Sequence, residues 1–223
     1  MSQHLARAMD ELHRKVLLLG GMIEEAIARA MTALTRRDGA LARQVIDNDS
    51  AIDRMEVEVE EECLKVLALH QPMARDLRMV VAILKMNNDL ERVGDLAANI
   101  AKQAAVVASR PELAIPLDYG PMAAAACSML KQALDALVNA DAVLASQVCA
   151  DDDLLDAMRR QATRTVEQGI REHPDRGEEL MALASVARHL ERIGDMATNV
   201  AEDVIYMVTG EIVRHRTGQP PSG

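Results

Sequence analysis

The sequence predicts an all-α fold, two tandem antiparallel three-helix bundles related by internal duplication, and three observations predict it. Apolar residues recur at helical spacing along most of the chain. There is no Trp or Phe and only two Tyr, so Ala, Leu, Val and 14 Met supply the apolar mass, a composition that suits helices better than sheets. Most telling, the twelve residues from Leu90 to Ala101, LERVGDLAANIA, return one hundred positions later as LERIGDMATNVA, from Leu190 to Ala201, with eight positions identical. In a chain of 223 residues that offset separates two similar halves, each large enough to hold a core.

Taken in order, residues 5–36 form the first amphipathic run, and Asp38 is placed to cap a second from Gly39 to about Leu69. Pro72 opens a third that reaches about Ala108. Pro111, Pro116, Gly120 and Pro121 then break the pattern and mark a linker. The plan repeats: a fourth helix from about Met122 to Asn139, Asp141 as the counterpart of Asp38, a fifth helix ending near His173, a turn at Pro174 and Gly177, and a sixth from about Glu178 to Thr209 with Gly210 as its C-cap. The expected boundaries are 1–110 and 122–213 for the bundles, 111–121 for a hinge-like linker and 214–223 for a tail. Leu34, Asp38, Leu41, Ala42, Val45 and Met55 align with Leu137, Asp141, Leu144, Ala145, Val148 and Met158 at an offset of 103, so the halves differ by three residues near the second turn.

Composition removes several classes of function. Twenty-five basic against 35 acidic side chains leave a net charge of −10, with no Lys/Arg block and no stacking aromatics, so nucleic acid is not the expected partner. Cys63, Cys127 and Cys149 are odd in number and unpaired in spacing, as expected of reduced, packing cysteines in a cytosolic protein. No apolar run approaches the ~20 residues a membrane span needs, so any membrane contact is expected to run through partners or the surface. No phosphate-cradling Gly loop and no nucleophile with a local base is evident, which argues against an enzyme.

What remains are carboxylates. Glu91, Asp95 and Asn99 are spaced four apart and share a helix face, as do Glu191, Asp195 and Asn199. The second helix of each half supplies a matching pair, Asp49 with Asp53 and Asp152 with Asp156. In an antiparallel hairpin, residues equidistant from the turn lie side by side. Asp53 with Glu91 and Asp49 with Asp95 both centre on Pro72, and the second set centres between His173 and Pro174. Each hairpin is therefore expected to bring four carboxylates to one level, an oxygen-rich set suited to metal ions such as iron, Mn, Mg or Zn. The competing reading makes these acids a solvated face, because Leu90, Val93, Ala97 and Ile100 form the apolar stripe and the acids point away from it; Arg92 and Arg192 would then pair with Asp95 and Asp195. Glu56, Glu60, Glu61 and Glu62, and Arg159, Thr163, Arg164 and Thr165 opposite them in the repeat, read as solvated. Gly94 and Gly194, mid-helix, point to close approach of a neighbouring helix. A metal-dependent enzyme or an iron-storage protein is the rival function for such a bundle.

With LERVGDLAANIA and LERIGDMATNVA, preceded by HQPMARDLR from His70 to Arg78 and followed by GEIVRH from Gly210 to His215, the chain resembles the PhoU family of bacterial phosphate-uptake regulators over nearly its whole length. The resemblance implies two three-helix bundles side by side. It also implies multinuclear metal sites, which fall here on Asp49, Asp53, Glu91 and Asp95 and on Asp152, Asp156, Glu191 and Asp195. The function it implies is a cytoplasmic negative regulator, a homodimer, that joins the phosphate ABC transporter to a sensor histidine kinase controlling phosphate-starvation genes. The second turn departs from the pattern, with HPDRGEEL in place of the first half's Gln-Pro-x-x-x-Asp-Leu-Arg.

Overall fold

The structure, a computed structural model, describes residues 3–211; the expected tail 214–223 and most of the GEIVRH ending lie outside them. Among the described residues there are six α-helices and no strand: α1 (Gln3–Arg36), α2 (Gly39–His70), α3 (Ala74–Ala108), α4 (Gly120–Asn139), α5 (Ala142–Glu172) and α6 (Gly177–Thr209). Local chemistry explains the boundaries. Asp38 accepts hydrogen bonds from the amides of Ala40 (3.0 Å) and Leu41 (2.9 Å), and Asp141 does the same for Val143 (2.9 Å) and Leu144 (3.0 Å), so both second helices start from the same cap. Pro121 sits in the first turn of α4, where its missing N–H is no loss. Gly210 ends α6 with φ 79°, a left-handed conformation that glycine adopts without strain.

The three-residue difference between halves lies where the two hairpins turn. Gln71, Pro72 and Met73 stand between α2 and α3, with Gln71 at φ 46° and Ala74 at φ 49°. In the second half His173 leads straight into one 3-10 turn, Pro174–Arg176, that runs into α6.

The two bundles do not keep separate cores. Helices α3 and α6 pack along each other and α1 meets α4, so the buried residues of both halves form one apolar cluster. Leu12, Leu19, Ile23, Ile83, Met86, Leu90, Leu130 and Leu155 are among its fully buried side chains. Each such Leu or Ile contributes roughly 1.5–3 kcal/mol relative to exposure. Because α3 touches α1, α2 and α6, its buried surface extends well beyond the expected stripe to Leu96, Ala98, Ala101 and Ala104. Arg78 Nε donates to the Met207 carbonyl at 3.3 Å and Lys85 Nζ lies 3.9 Å from Asp203, so the start of α3 lies beside the end of α6 and the two run antiparallel. The segment between α3 and α4 lies against the second half: the Tyr119 hydroxyl donates to the Leu183 carbonyl at 2.5 Å, and Arg176 donates to the carbonyl of Pro111. Arg37, at the α1–α2 turn, donates to the carbonyls of Val107 (2.5 Å) and Arg110 (2.6 Å) and reaches buried Glu179 at 3.3 Å, fastening the same corner.

Two carboxylate sets, a candidate metal centre

Each hairpin is drawn tight by its mid-helix glycine. A Cβ on Gly94 would stand 2.9 Å from Ile52 Cγ2, and one on Gly194 would stand 2.3 Å from Leu155 Cδ2, so at both places the neighbouring helix's side chain fills the room a Cβ would need. Ile52 is followed by Asp53 and Gly94 by Asp95; Leu155 is followed by Asp156 and Gly194 by Asp195. The contact that removes the Cβ therefore brings the carboxylates to one level.

The acids of each set influence one another across the two helices. In the first half burial raises the pKa of half-buried Asp49, and the like charges of Asp53 and Asp95 add to it, against a smaller pull from Lys102. Burial also raises Glu91, with Asp95, Asp53 and Glu56 pushing the same way and Arg92 opposing. In the second half Asp152 is raised by burial and then by Asp195, Asp156 and Asp153. Glu191 is raised by burial, against the opposing charge of Arg159, with Asp156 and Asp152 adding to the rise. Asp195 follows the same order, with burial first, then Glu191 and Asp156, and with Arg192 and Arg159 opposing. Partial desolvation and clustered like charge are the two conditions that make a carboxylate hold a proton or a cation.

All donors in the first set are carboxylate oxygens, which fits a hard or borderline cation. Among the described residues, no group of three or more His, Cys, Asp or Glu side chains is arranged to hold a metal ion as it stands, so binding requires the acids to turn inward.

Several neighbours differ from the sequence reading. Asn99 accepts from Lys102 Nζ at 3.0 Å, and Asn199 lines a groove between α3 and α6 with Asp89 and Glu202. Asn199 thus serves the side of α6 that turns toward the other half, while Asn99 is held by a lysine one turn along its own helix. Arg92 pairs with Asp89 at 3.9 Å, one turn before it on α3, instead of with the expected Asp95 one turn after it, which leaves the Asp95 carboxylate to its set.

Glu56 and Arg159, read from the sequence as solvated, belong to the sets. Glu56 is half-buried, accepts from Asn87 Nδ2 at 2.8 Å and acts on Glu91. Arg159 occupies the equivalent place in the repeat, and its Nε lies 3.1 Å from Glu191 Oε1, an ion pair without hydrogen-bond alignment. The sequence carries the signal: both face their glycine helix one turn beyond Asp53 and Asp156 under the 103 offset.

Comparison with known proteins agrees with the architecture. The family described as "PhoU domain" matches residues 16–104 and again 120–204, one copy per bundle. A "phosphate-specific transport system accessory protein PhoU homolog" of Aquifex aeolicus is 38% identical over 212 residues, covering 95% of this chain and 96% of that one. A homolog of the same description from Pseudomonas aeruginosa is 36% identical over 218 residues, covering 96% and 89%. The crystal structure of PhoU from Pseudomonas aeruginosa superimposes with a TM-score of 0.86 at 35% identity, covering 92% of this chain and 99% of that chain. The phosphate transport system regulatory protein PhoU from Streptococcus pneumoniae gives a TM-score of 0.86 at 29% identity over 94% and 99%. Two domain copies in tandem, a near full-length match and the same six-helix architecture establish that the chain belongs to the PhoU family.

Proposed function

We propose that this chain is an accessory regulator of phosphate uptake, acting without catalysis as a cytoplasmic adaptor between a phosphate ABC transporter and a membrane sensor histidine kinase, and working as a homodimer. The observation that carries the reading is the near full-length match to phosphate-transport accessory proteins, joined to a chain in which both carboxylate sets are present. Among the described residues no helix is long and apolar enough to cross a membrane, so contact with the transporter falls to the surface of the bundle. Asp49, Asp53, Glu91 and Asp95 would hold a divalent or ferric cation, with Asp152, Asp156, Glu191 and Asp195 as the second set. When bound, the cation supplies charge neutralisation and a coordination point at the surface. The chain's own residues hold each hairpin closed at Gly94 and Gly194, and the acids would turn inward to take the cation.

The test is a pair of variants in the living cell. Glu91→Ala with Asp95→Ala, and the same with Glu191→Ala and Asp195→Ala added, are expected to switch phosphate-starvation genes on in phosphate-rich medium. Helicity and melting should be retained, because partly exposed acids four apart add little to stability. Normal repression by the fourfold variant would sink the role assigned to the carboxylates.

A further inference from the structure

The antiparallel crossing of α3 and α6 has two sides, and they carry different charge. On one side Lys85, Asn88, Asp89 and Arg92 of α3 face Asn199 and Glu202 of α6 across a groove of about 590 Å³. Its cations are neutralised: Lys85 Nζ lies 3.9 Å from Asp203 and Arg92 Nη1 lies 3.9 Å from Asp89. The duplication places Ser185, Arg188, His189 and Arg192, one stripe of α6, opposite Asn99 and Lys102 of α3 on the other side. There Asp89 is replaced by His189 and Glu202 by Lys102, so the acids are gone.

The antiparallel register that pairs Arg78 with Met207 and Lys85 with Asp203 carries Lys102 of α3 to within about a turn of Arg188 and His189 on α6, with Arg192 one turn further along the same stripe, and the charges of all three cations reach His189. Arg188, Arg192 and Lys102 are exposed, and among the described residues none of them is in an ion pair; their charge reaches Asp49, Glu191 and Asp195 only at longer range. His189 adds a buried Nδ1 with no hydrogen-bond partner. In a chain of net charge −10, cations that repel one another without a carboxylate counter-ion are held at a cost that an anion would relieve. Two arginines a turn apart with a lysine on the facing helix present donors only, which selects an acceptor-only, multiply charged ligand, and paired guanidinium groups match the oxygens of a tetrahedral oxyanion.

We propose that Lys102, Arg188, His189 and Arg192 form an oxyanion site whose ligand is a phosphate group, either free phosphate or a phosphoryl group carried on a partner's side chain. The choice of phosphate among oxyanions rests on the regulatory reading above; the site itself rests on the cluster. The two sources share one chemistry and are separated by experiment. Calorimetric titration of the full-length, chelator-treated protein at fixed ionic strength is run with inorganic phosphate and, separately, with a phosphoserine peptide and its unphosphorylated form. Arg188→Gln with Arg192→Gln is expected to weaken binding by about tenfold or more, while Lys85→Gln with Arg92→Gln in the opposite groove leaves it within about twofold. Saturable binding of inorganic phosphate assigns the free ion; binding of the phosphopeptide alone assigns a partner's phosphoryl group. Binding of neither, or equal weakening by both double variants, overturns the site. Because repression is read separately through Glu91 and Asp95, an intact regulatory response beside absent phosphate binding would overturn this inference and leave the regulatory reading standing.

Discussion

The two carboxylate sets occupy equivalent places in a duplicated fold, yet they are not electrostatically equal. In the first half the acids of α2 and α3 are joined by a further one, Glu56, which pushes Glu91 higher. In the second half the same position holds Arg159, 3.1 Å from Glu191, and its charge opposes the rise of both Glu191 and Asp195. Among the described residues the first set has no counter-ion within 4 Å, whereas the second carries Arg159 beside Glu191 and Arg160 at 3.3 Å from Asp156. Duplication conserved the geometry, through Gly94 with Ile52 and Gly194 with Leu155, while two neighbouring residues, Arg159 beside Glu191 and Arg160 beside Asp156, changed what the geometry asks for.

The largest effect expected from this contrast is unequal metal affinity. A Mn²⁺ titration of the purified protein should show Asp53→Ala with Glu91→Ala removing the tighter binding, and Asp156→Ala with Glu191→Ala changing it by less than about threefold. Equal losses from the two pairs would break the comparison. A charge exchange sharpens it: Arg159→Glu should raise affinity at the second set and Glu56→Arg should lower it at the first, each by roughly fivefold to tenfold for one close charge. If the exchange moves neither site, Arg159 is a surface ion pair and nothing more.

Much of this is legible in the amino-acid sequence alone. The shared caps at Asp38 and Asp141, the helix boundaries within a few residues and the reason for the mid-helix glycines all follow from local chemistry and from the repeat. The common midpoint of the hairpin pairs predicts Asp49, Asp53, Glu91 and Asp95 at one level; their charges bear on one another across the two helices, but among the described residues they are not arranged to hold a metal ion as they stand. Three things stay hidden because they depend on how one half packs against the other. The burial of α3 on nearly all sides arises from α6, which a single-bundle stripe does not include. The turning of Asn199 toward the α3–α6 crossing has the same cause. The fastening of Arg37 to buried Glu179 joins residues far apart in sequence, and no periodicity connects them. Sequence spacing reads what one hairpin does, and is silent on the faces two hairpins share.

A smaller effect separates protons from metal. Asp49, Glu91, Asp152, Glu191 and Asp195 all have folded-state pKa values above the ordinary carboxylate range, with burial as the first cause. A group raised in the folded state contributes stability that is complete below its unfolded pKa and is lost as pH rises through its folded value. The contribution of these acids to the melting temperature of metal-free protein should therefore fall as pH rises through and above the ordinary carboxylate range of about 4. Asp49→Asn with Glu91→Gln, and Asp152→Asn with Glu191→Gln, should each flatten that dependence relative to the wild type, because protons relieve both sets. Divalent metal at neutral pH should restore stability chiefly through the first set, so only the first pair of substitutions abolishes the rescue. Metal rescue lost equally with both pairs would show that Arg159 does not distinguish the sets.

The smallest expected effect concerns the close approach on which both sets depend. Alanine in place of a mid-helix glycine gains about 1 kcal/mol of helix propensity, and at Gly21, where a Cβ would meet nothing within 4 Å, that gain should appear in full as a higher melting temperature. At Gly94 and Gly194 the added methyl meets Ile52 Cγ2 at 2.9 Å and Leu155 Cδ2 at 2.3 Å, and overpacking of this kind costs about 1–3 kcal/mol, so the propensity gain is cancelled or reversed. The halves differ in how the strain can be relieved. Leu155 meets the methyl with the end of its side chain, beside flexible Met129, whereas Ile52 meets it with a branch fixed next to its own backbone. Gly94→Ala should therefore move α2 away from α3, carrying Asp53 from Asp95 and weakening metal binding at the first set, while Gly194→Ala is absorbed mainly by side-chain rearrangement. A double-mutant cycle of Gly94→Ala with Ile52→Ala should show a coupling of at least about 0.5 kcal/mol, as expected for residues in contact. If Gly94→Ala stabilises the protein as much as Gly21→Ala does, helix approach is not what that glycine provides, and the carboxylates owe their meeting to something else.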